Sequence, residues 1–235
     1  MARSVVLAGA ARCPSCSLPP RWCVCQAIPP VDTRLAVAVL IHRHEHHKPS
    51  STGRLITRVV HGATCHIYQR ATRFFPAQGF EASACGDGRD LWILHPSGGP
   101  LAEAAADIQP DTAWPRVLLL DGTWKQAGEM LRSLDRPGRC VRLPDPDGEE
   151  SRYWLRDQPA LAHRSTAEAL LGVLHAMGDH TAELRLRLHF ELHVYATLLS
   201  RGRRELAERY LGHSPLLTEI PAFLDQLHSR RSRDD

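Results

Sequence analysis

The sequence has almost no lysine, few aromatic residues and no long hydrophobic run. Lys48 and Lys125 stand against 27 arginines. Coding bias toward arginine explains this most simply, although the guanidinium fork also suits phosphate. No apolar stretch approaches the roughly eighteen residues that a membrane helix needs, so no membrane span is expected. Aromatic residues are 6% of the chain, yet 43% hydrophobic and 23% charged content excludes a wholly disordered or low-complexity protein. The 235 residues suit one main domain plus a small appendage. At this length the main core needs neither a disulfide nor a metal to hold it.

Two cofactor signatures are also missing. No Gly-x-Gly-x-x-Gly follows a strand, which argues against a Rossmann cofactor site, and the absence of Gly-x-x-x-x-Gly-Lys-Ser/Thr removes P-loop NTPases. The N-terminus only faintly resembles a secretion signal. Its apolar stretch, Val5 to Ala11, is at the lower limit of length and Arg12 follows at once, so a cytoplasmic location is expected. The net charge of +3 and pI near 8.6, with 14 histidines in reserve, are compatible with nucleic acid without requiring it.

Seven cysteines is an odd count, and four of them crowd into Cys13-x2-Cys16-x6-Cys23-x-Cys25. In a cytosolic chain this spacing points to metal rather than disulfides. Four thiolates suit a closed tetrahedral Zn²⁺ site, with no position left for substrate. Arg12 and Arg21 stand where they could offset its negative charge, and Pro14, Pro19 and Pro20 stiffen the loops. We read residues 1–30 as a zinc-binding segment and 31–235 as the main domain. Cys65, Cys85 and Cys140 are isolated and read as small core residues.

From residue 34 onward strands and helices alternate. Apolar, β-branched runs mark strands at 34–41, 91–94, 116–120 and 140–143, with a weaker one near 63–68. Helical spacing marks 51–61, 101–108, 123–134 and 165–177. Residues 42–49, 69–89 and 144–163 read as loops, and the arginine-rich tail from residue 201 as frayed. This alternation implies an α/β domain with a mostly parallel sheet. Residues 184–195 alternate apolar and polar, which locally favours a strand, although Leu184, Leu188, Leu192, Tyr195 and Leu199 also form a helical stripe.

Ligands of open α/β sheets bind beyond the carboxyl ends of strands. Asp121 occupies such an end, and Gly122 lets backbone approach a ligand. Thr123 and Gln126 form a capping box, which accounts for those two residues but not for Asp121 or Trp124. A turn aspartate and a core tryptophan are the structural alternatives. Ser165 and Glu168 have the same box spacing. The basic segment 42–54 carries four histidines and reads as a cationic loop touching phosphate or substrate, with an anion-binding helix N-terminus after it.

These separated motifs together resemble the DTW-domain family of tRNA-uridine aminocarboxypropyltransferases. The matching blocks are Arg12-Cys-x2-Cys with Cys23-x-Cys25, Glu45-x2-Lys48-Pro-Ser-Ser-Thr-Gly-Arg-Leu, His95-Pro96, Leu120-Asp-Gly-Thr-Trp with Gln126-Ala127, Tyr153-x-Leu-Arg, and Ser165-Thr-Ala-Glu-Ala. Ser51 departs from the asparagine frequent there. The resemblance implies a SPOUT-like α/β fold with a C-terminal trefoil knot that binds S-adenosylmethionine, and a helix rather than a strand at 184–195. It implies transfer of the 3-amino-3-carboxypropyl group to N3 of a tRNA uridine, with release of methylthioadenosine. Asp121 is then the candidate general base. Leu94, Pro96, Leu120, Gly122, Thr123, Trp124, Leu143, Tyr153, Thr166 and Glu168 are the candidate cofactor residues. Lys48, Ser51, Thr52 and Arg54 are the candidate tRNA contacts. No obligate protein partner is implied. A knotted RNA methyltransferase, a ribosomal-RNA aminocarboxypropyltransferase and a non-catalytic zinc-dependent RNA-binding module are the alternatives.

Overall fold

The two longest β-branched runs become the central strands of a sheet. The computed structural model describes residues 11–69, 89–109, 111–134, 138–145, 150–155 and 164–230. Five strands pair: β1 (Ala36–His42), β2 (Thr64–Tyr68), β3 (Leu91–Pro100), β4 (Arg116–Asp121) and β5 (Arg139–Arg142). Their order is β2-β1-β4-β3-β5, and every pairing is parallel. β1 is buried from Val37 to His42, as a strand covered on both faces must be. The mixed α/β class and parallel sheet agree with the strand–helix alternation.

Nine α-helices are described: α1 (Arg43–His46), α2 (Thr52–Val59), α3 (Leu101–Ala106), α4 (Trp124–Ser133), α5 (Thr166–Ala176), α6 (His180–Ser200), α7 (Arg204–Leu211), α8 (Leu216–Glu219) and α9 (Pro221–Ser229). One sheet face carries the larger core, which gathers residues of α2, α3, α5 and α6. On the other face Met130 of α4 packs against Ala38, Leu40, Ile93 and Leu118. The chain leaves β1 for neighbouring β2 through α2, and leaves β4 for β5 through α4, past β3. These connections run in opposite directions, so the carboxyl ends of β1 and β4 flank a topological switch point, where open α/β sheets bind ligands. Ile41 and Asp121 face each other across it.

β3 is interrupted after Leu94, and pairing with β5 resumes at Gly99. The His95-Pro96-Ser97 piece bulges out, pinned by a 2.8 Å bond between His95 Nδ1 and Ser97 Oγ. A β-carbon at Gly98 would lie 2.5 Å from the carbonyl carbon of Cys140, so glycine is required for the strand to return.

Three expectations change. The 42–49 loop contains the short helix α1. From 201 to 230 the tail is not frayed: Ala207, Tyr210, Leu216, Leu224 and Leu227 are buried, while Arg201, Arg203, Arg204 and Arg209 are exposed. Cys65 is exposed and Cys140 half-buried, because each sits on an edge strand with one side uncovered. The leader-like stretch at 1–10, the loop at 70–88 with Cys85, parts of 144–163 and the last five residues lie outside the described residues. No helix among the described residues is long and apolar enough to cross a membrane.

Residues 184–195 are helical, within α6. Residues 188–198 are buried without a break, which a half-exposed strand cannot do and a helix surrounded on all sides can. Two of the polar positions that imitate a strand pattern are bonded inside: Glu191 to Arg152 at 2.9 Å and His189 to the Pro29 carbonyl at 2.9 Å.

His193 lies fully inside this packing. Burial, assisted by the positive charges of Arg58 and Arg201, pushes its pKa down to about 3. The unfolded chain therefore takes up a proton that the folded chain refuses. The stability contributed is complete above the ordinary histidine value near 6.5 and is lost as pH falls toward 3. The acid limb of the stability curve should steepen by up to roughly 1.4 kcal/mol per pH unit from this residue. Denaturant melts of His193→Gln across that range should give a shallower limb than wild type; parallel limbs would remove His193 from acid unfolding.

Candidate active site and cysteine metal centre

The site is built around one carboxylate. Asp121 ends β4, where the strand delivers its side chain toward the first turn of α2, and it is 7% exposed. Ser51, the N-cap of α2, accepts from the Arg54 amide at 3.1 Å and donates its hydroxyl to Asp121 Oδ2 at 2.7 Å. Thr166, the first residue of α5, donates to Oδ1 at 2.5 Å. A β-carbon on Gly53 would sit 2.7 Å from the carboxyl carbon, so the carboxylate lies directly on the backbone of α2. Thr52 Oγ1 accepts from the Ala167 amide at 3.4 Å, and the Tyr153 hydroxyl donates to the Ser50 carbonyl. Ser51, Thr52, Asp121, Tyr153 and Thr166, separated by up to 115 residues, are thus one connected cluster.

The expected capping boxes are both formed. Glu168 also accepts from the Ser151 hydroxyl at 2.9 Å and the Arg152 amide at 2.8 Å, so its carboxylate holds the 150–155 segment against α5. Trp124 is 48% exposed, at the first position of α4, so it is not a core tryptophan. A recess of about 540 Å³ at the switch point is lined by His42, Arg43, His44, Thr123, Lys125 and Gln126. Burial, then the neighbouring His44 charge, lowers the pKa of His42.

A second cleft, of about 570 Å³, opens beyond the end of β5 and is lined by Leu143, Arg152, Glu168, Leu171 and Phe190, among others. Leu94 and Leu143 belong to the core of that face, whereas Leu120 packs on the opposite face; Pro96 stands exposed on the β3 bulge. Among the expected RNA contacts, Ser51 and Thr52 are buried and bonded inward. Lys48 is half-exposed and pairs with buried Glu45 at 2.6 Å.

The four clustered cysteines converge. Their sulfurs lie within 4.8 Å of one another, with Cys13–Cys25 at 3.7 Å and Cys16–Cys23 at 3.8 Å. Four thiolates about 2.3 Å from a tetrahedral Zn²⁺ stand roughly 3.8 Å apart, so the set fits zinc and could hold it. Burial pushes the Cys16 thiol up to about 12, against backbone bonds at Leu18 and Val24. At Cys13 burial also raises the pKa, but bonds with the Cys16 and Ser15 backbone and with neighbouring thiols outweigh it and bring it to about 6. A divalent cation would favour all four as thiolates.

The compensating cation is one that the spacing did not reveal. Burial lowers the pKa of Arg58, on α2, while all four cysteines act on it in the opposite direction. Arg12 instead donates to the Ser17 carbonyl at 2.9 Å, and Arg21 stacks on Trp22 at 4.8 Å. Arg58 lies 33 residues beyond the last cysteine of the cluster, and only the fold brings it near. Gly53 was equally hidden, since no turn signal announces a side chain resting on it. Leu18, Val24 and Ile28 join the same core as the sheet, and Arg230 donates to the Cys23 carbonyl at 2.6 Å.

The model of the family described as DTW domain matches residues 10–199. No solved structure matches the chain.

Gel-filtered protein should contain about one tightly held zinc per chain, as a closed four-thiolate site requires. Elemental analysis of Cys23→Ser should show it lost, with a lower melting temperature, because the segment shares the main core. Full zinc in Cys23→Ser would rule out the four-cysteine site.

Proposed function

The chain belongs to the DTW-domain family, and on that premise we propose that it transfers the 3-amino-3-carboxypropyl group of S-adenosylmethionine to N3 of a uridine in tRNA. Membership of the family points to tRNA modification. The finer reading rests on one observation: the separated blocks Lys48 to Arg54, Leu120 to Trp124, Tyr153 and Ser165 to Glu168 close on a single carboxylate beside the switch point.

S-adenosylmethionine, when bound, offers an electrophilic carbon beside its sulfonium; a bond from uridine N3 forms as that carbon–sulfur bond breaks, and the electron pair leaves on the thioether of methylthioadenosine. The donor set fits such a ligand. Leu143, Leu171 and Phe190 give the cleft apolar walls, while Glu168 and Arg152 supply both charge signs at its edge. The protein's task is to aim the chain carbon rather than the methyl group, which is a matter of orientation.

Asp121 takes the N3 proton in this reading. Thr166 is half-buried and occupies the more open side, so N3–H would replace its hydroxyl at Oδ1 while Ser51 keeps Oδ2 fixed. Trp124, exposed beside Asp121, offers a face for the splayed base or the sulfonium, a contact worth about 0.5–2 kcal/mol. Arg43, Lys125 and Arg54 would meet RNA phosphates, which are the position-setting contacts. A SPOUT-like knot formed by the chain beyond β5 belongs to the same reading. The all-parallel sheet and the return of the chain from β5 to α5 on the opposite face from α4 support it.

The test is to incubate the protein with tRNA and S-adenosylmethionine and to analyse both products by mass spectrometry. Methylthioadenosine together with an aminocarboxypropylated uridine is expected. S-adenosylhomocysteine with a methylated base would assign the site to methyl transfer instead. RNA binding without either product would make the chain a binding module.

A further inference from the structure

The corner between α5 and α6 collects three metal-binding side chains that the reaction above does not use. α5 ends at Ala176, and Gly178, at φ +70°, turns the chain so that α6 starts at His180. That turn sets His175, in the last turn of α5, beside His180. Glu183 follows one helical turn later on the same side of α6.

Both imidazoles address one carboxylate oxygen. His175 Nδ1 lies 3.1 Å and His180 Nδ1 3.4 Å from Glu183 Oε2. All three ligand atoms fall within 4.8 Å of one another. An ion about 2.0–2.1 Å from nitrogen and oxygen ligands in a tetrahedral arrangement holds neighbouring ligand atoms roughly 3.3–3.4 Å apart. Both histidine–carboxylate edges are close to that value, and the edge between the two rings is within 4.8 Å. Glu183 is oriented independently of the histidines, because Arg187 donates to its other oxygen at 3.2 Å. A hydrogen bond of that kind, on the oxygen turned away from the metal, is the usual support of a ligating carboxylate.

We propose that His175, His180 and Glu183 form a second metal site, distinct from the cysteine cluster, for a divalent transition ion such as Zn²⁺ or Ni²⁺. Two imidazoles and one carboxylate select these borderline ions over Mg²⁺ and Ca²⁺, which prefer oxygen sets. The two rings are largely exposed, so ions reach them directly. Three protein ligands leave at least one position for water or for an oxygen of a ligand. His175, Glu183 and Arg187 also line the cleft that carries Leu143 and Glu168, so the ion would stand at its rim. The site is weaker and more exchangeable than the cysteine centre, since it is open and lacks thiolates.

Isothermal titration of Zn²⁺ into the full chain, with its cysteine-bound metal in place and in a non-chelating buffer near neutral pH, tests this. The wild type should take up one further ion per chain and melt at a higher temperature with added Zn²⁺, because ligands of the folded state stabilise it. A His175→Gln/His180→Gln variant should keep the cysteine-bound zinc and its metal-free melting temperature, since both rings are exposed. It should lose the second uptake by at least roughly tenfold in affinity, along with the metal-dependent gain in melting temperature. Arg187→Ala should weaken the second site while leaving the first intact. No further uptake by wild type, or equal uptake by the double variant, would show only a surface His–Glu pairing.

Discussion

A carboxylate buried at the end of a parallel strand has to be given hydrogen bonds, because an unpaired buried charge costs far more than the domain can spare. Asp121 receives them from Ser51 and Thr166, hydroxyls that cap or open two different helices. This requirement draws the N-terminal turns of α2 and α5 together over the end of β4, and Gly53 lets α2 come close enough. Tyr153 and Thr52 close the remaining sides through backbone partners. Four of the six separated blocks, at 48–54, 120–124, 153 and 165–168, are in space the donors and spacers around one buried carboxylate.

Much of this is legible in the sequence. The strand at 116–120 ends on Asp121, the two capping boxes set the starts of α4 and α5, and the cysteine spacing announced a four-sulfur set; each is a local pattern with a local cause. Features that depend on distant chain were not legible. Arg58 lies within electrostatic reach of a cluster more than thirty residues before it. The strand-like alternation of 184–195 comes from buried polar residues, whose partners Arg152 and the Pro29 carbonyl are contributed by other segments. The tail from residue 201 reads as too rich in arginine to pack, yet Ala207, Tyr210, Leu216, Leu224 and Leu227 are buried in it. His175, His180 and Glu183 become neighbours only because Gly178 turns the chain.

The N-terminal and C-terminal parts of the described chain meet at the cysteine cluster. Arg230, just past α9, holds the Cys23 carbonyl, while Arg58 answers the sulfurs from α2, and Arg185 and His189 bind the Pro30 and Pro29 carbonyls from α6. α2 therefore has two roles along eight residues. Its first turn supports Asp121, and its last turn carries Arg58, on which the charge of the cysteines acts. One helix thus runs from the Asp121 cluster toward the four cysteines.

The claim that Asp121 is both the joint of these helices and the acceptor of the uridine proton is tested most directly by Asp121→Asn, measured for S-adenosylmethionine binding and for single-turnover transfer on the same preparation. The amide has the carboxylate's shape and retains a hydroxyl acceptor, but no basicity. Binding should stay within a few-fold of wild type, while the transfer step should slow by about two to four orders of magnitude, the usual worth of a positioned base. Transfer at near the wild-type rate would contradict the account, leaving Asp121 a brace for the turn and the chemistry to position alone.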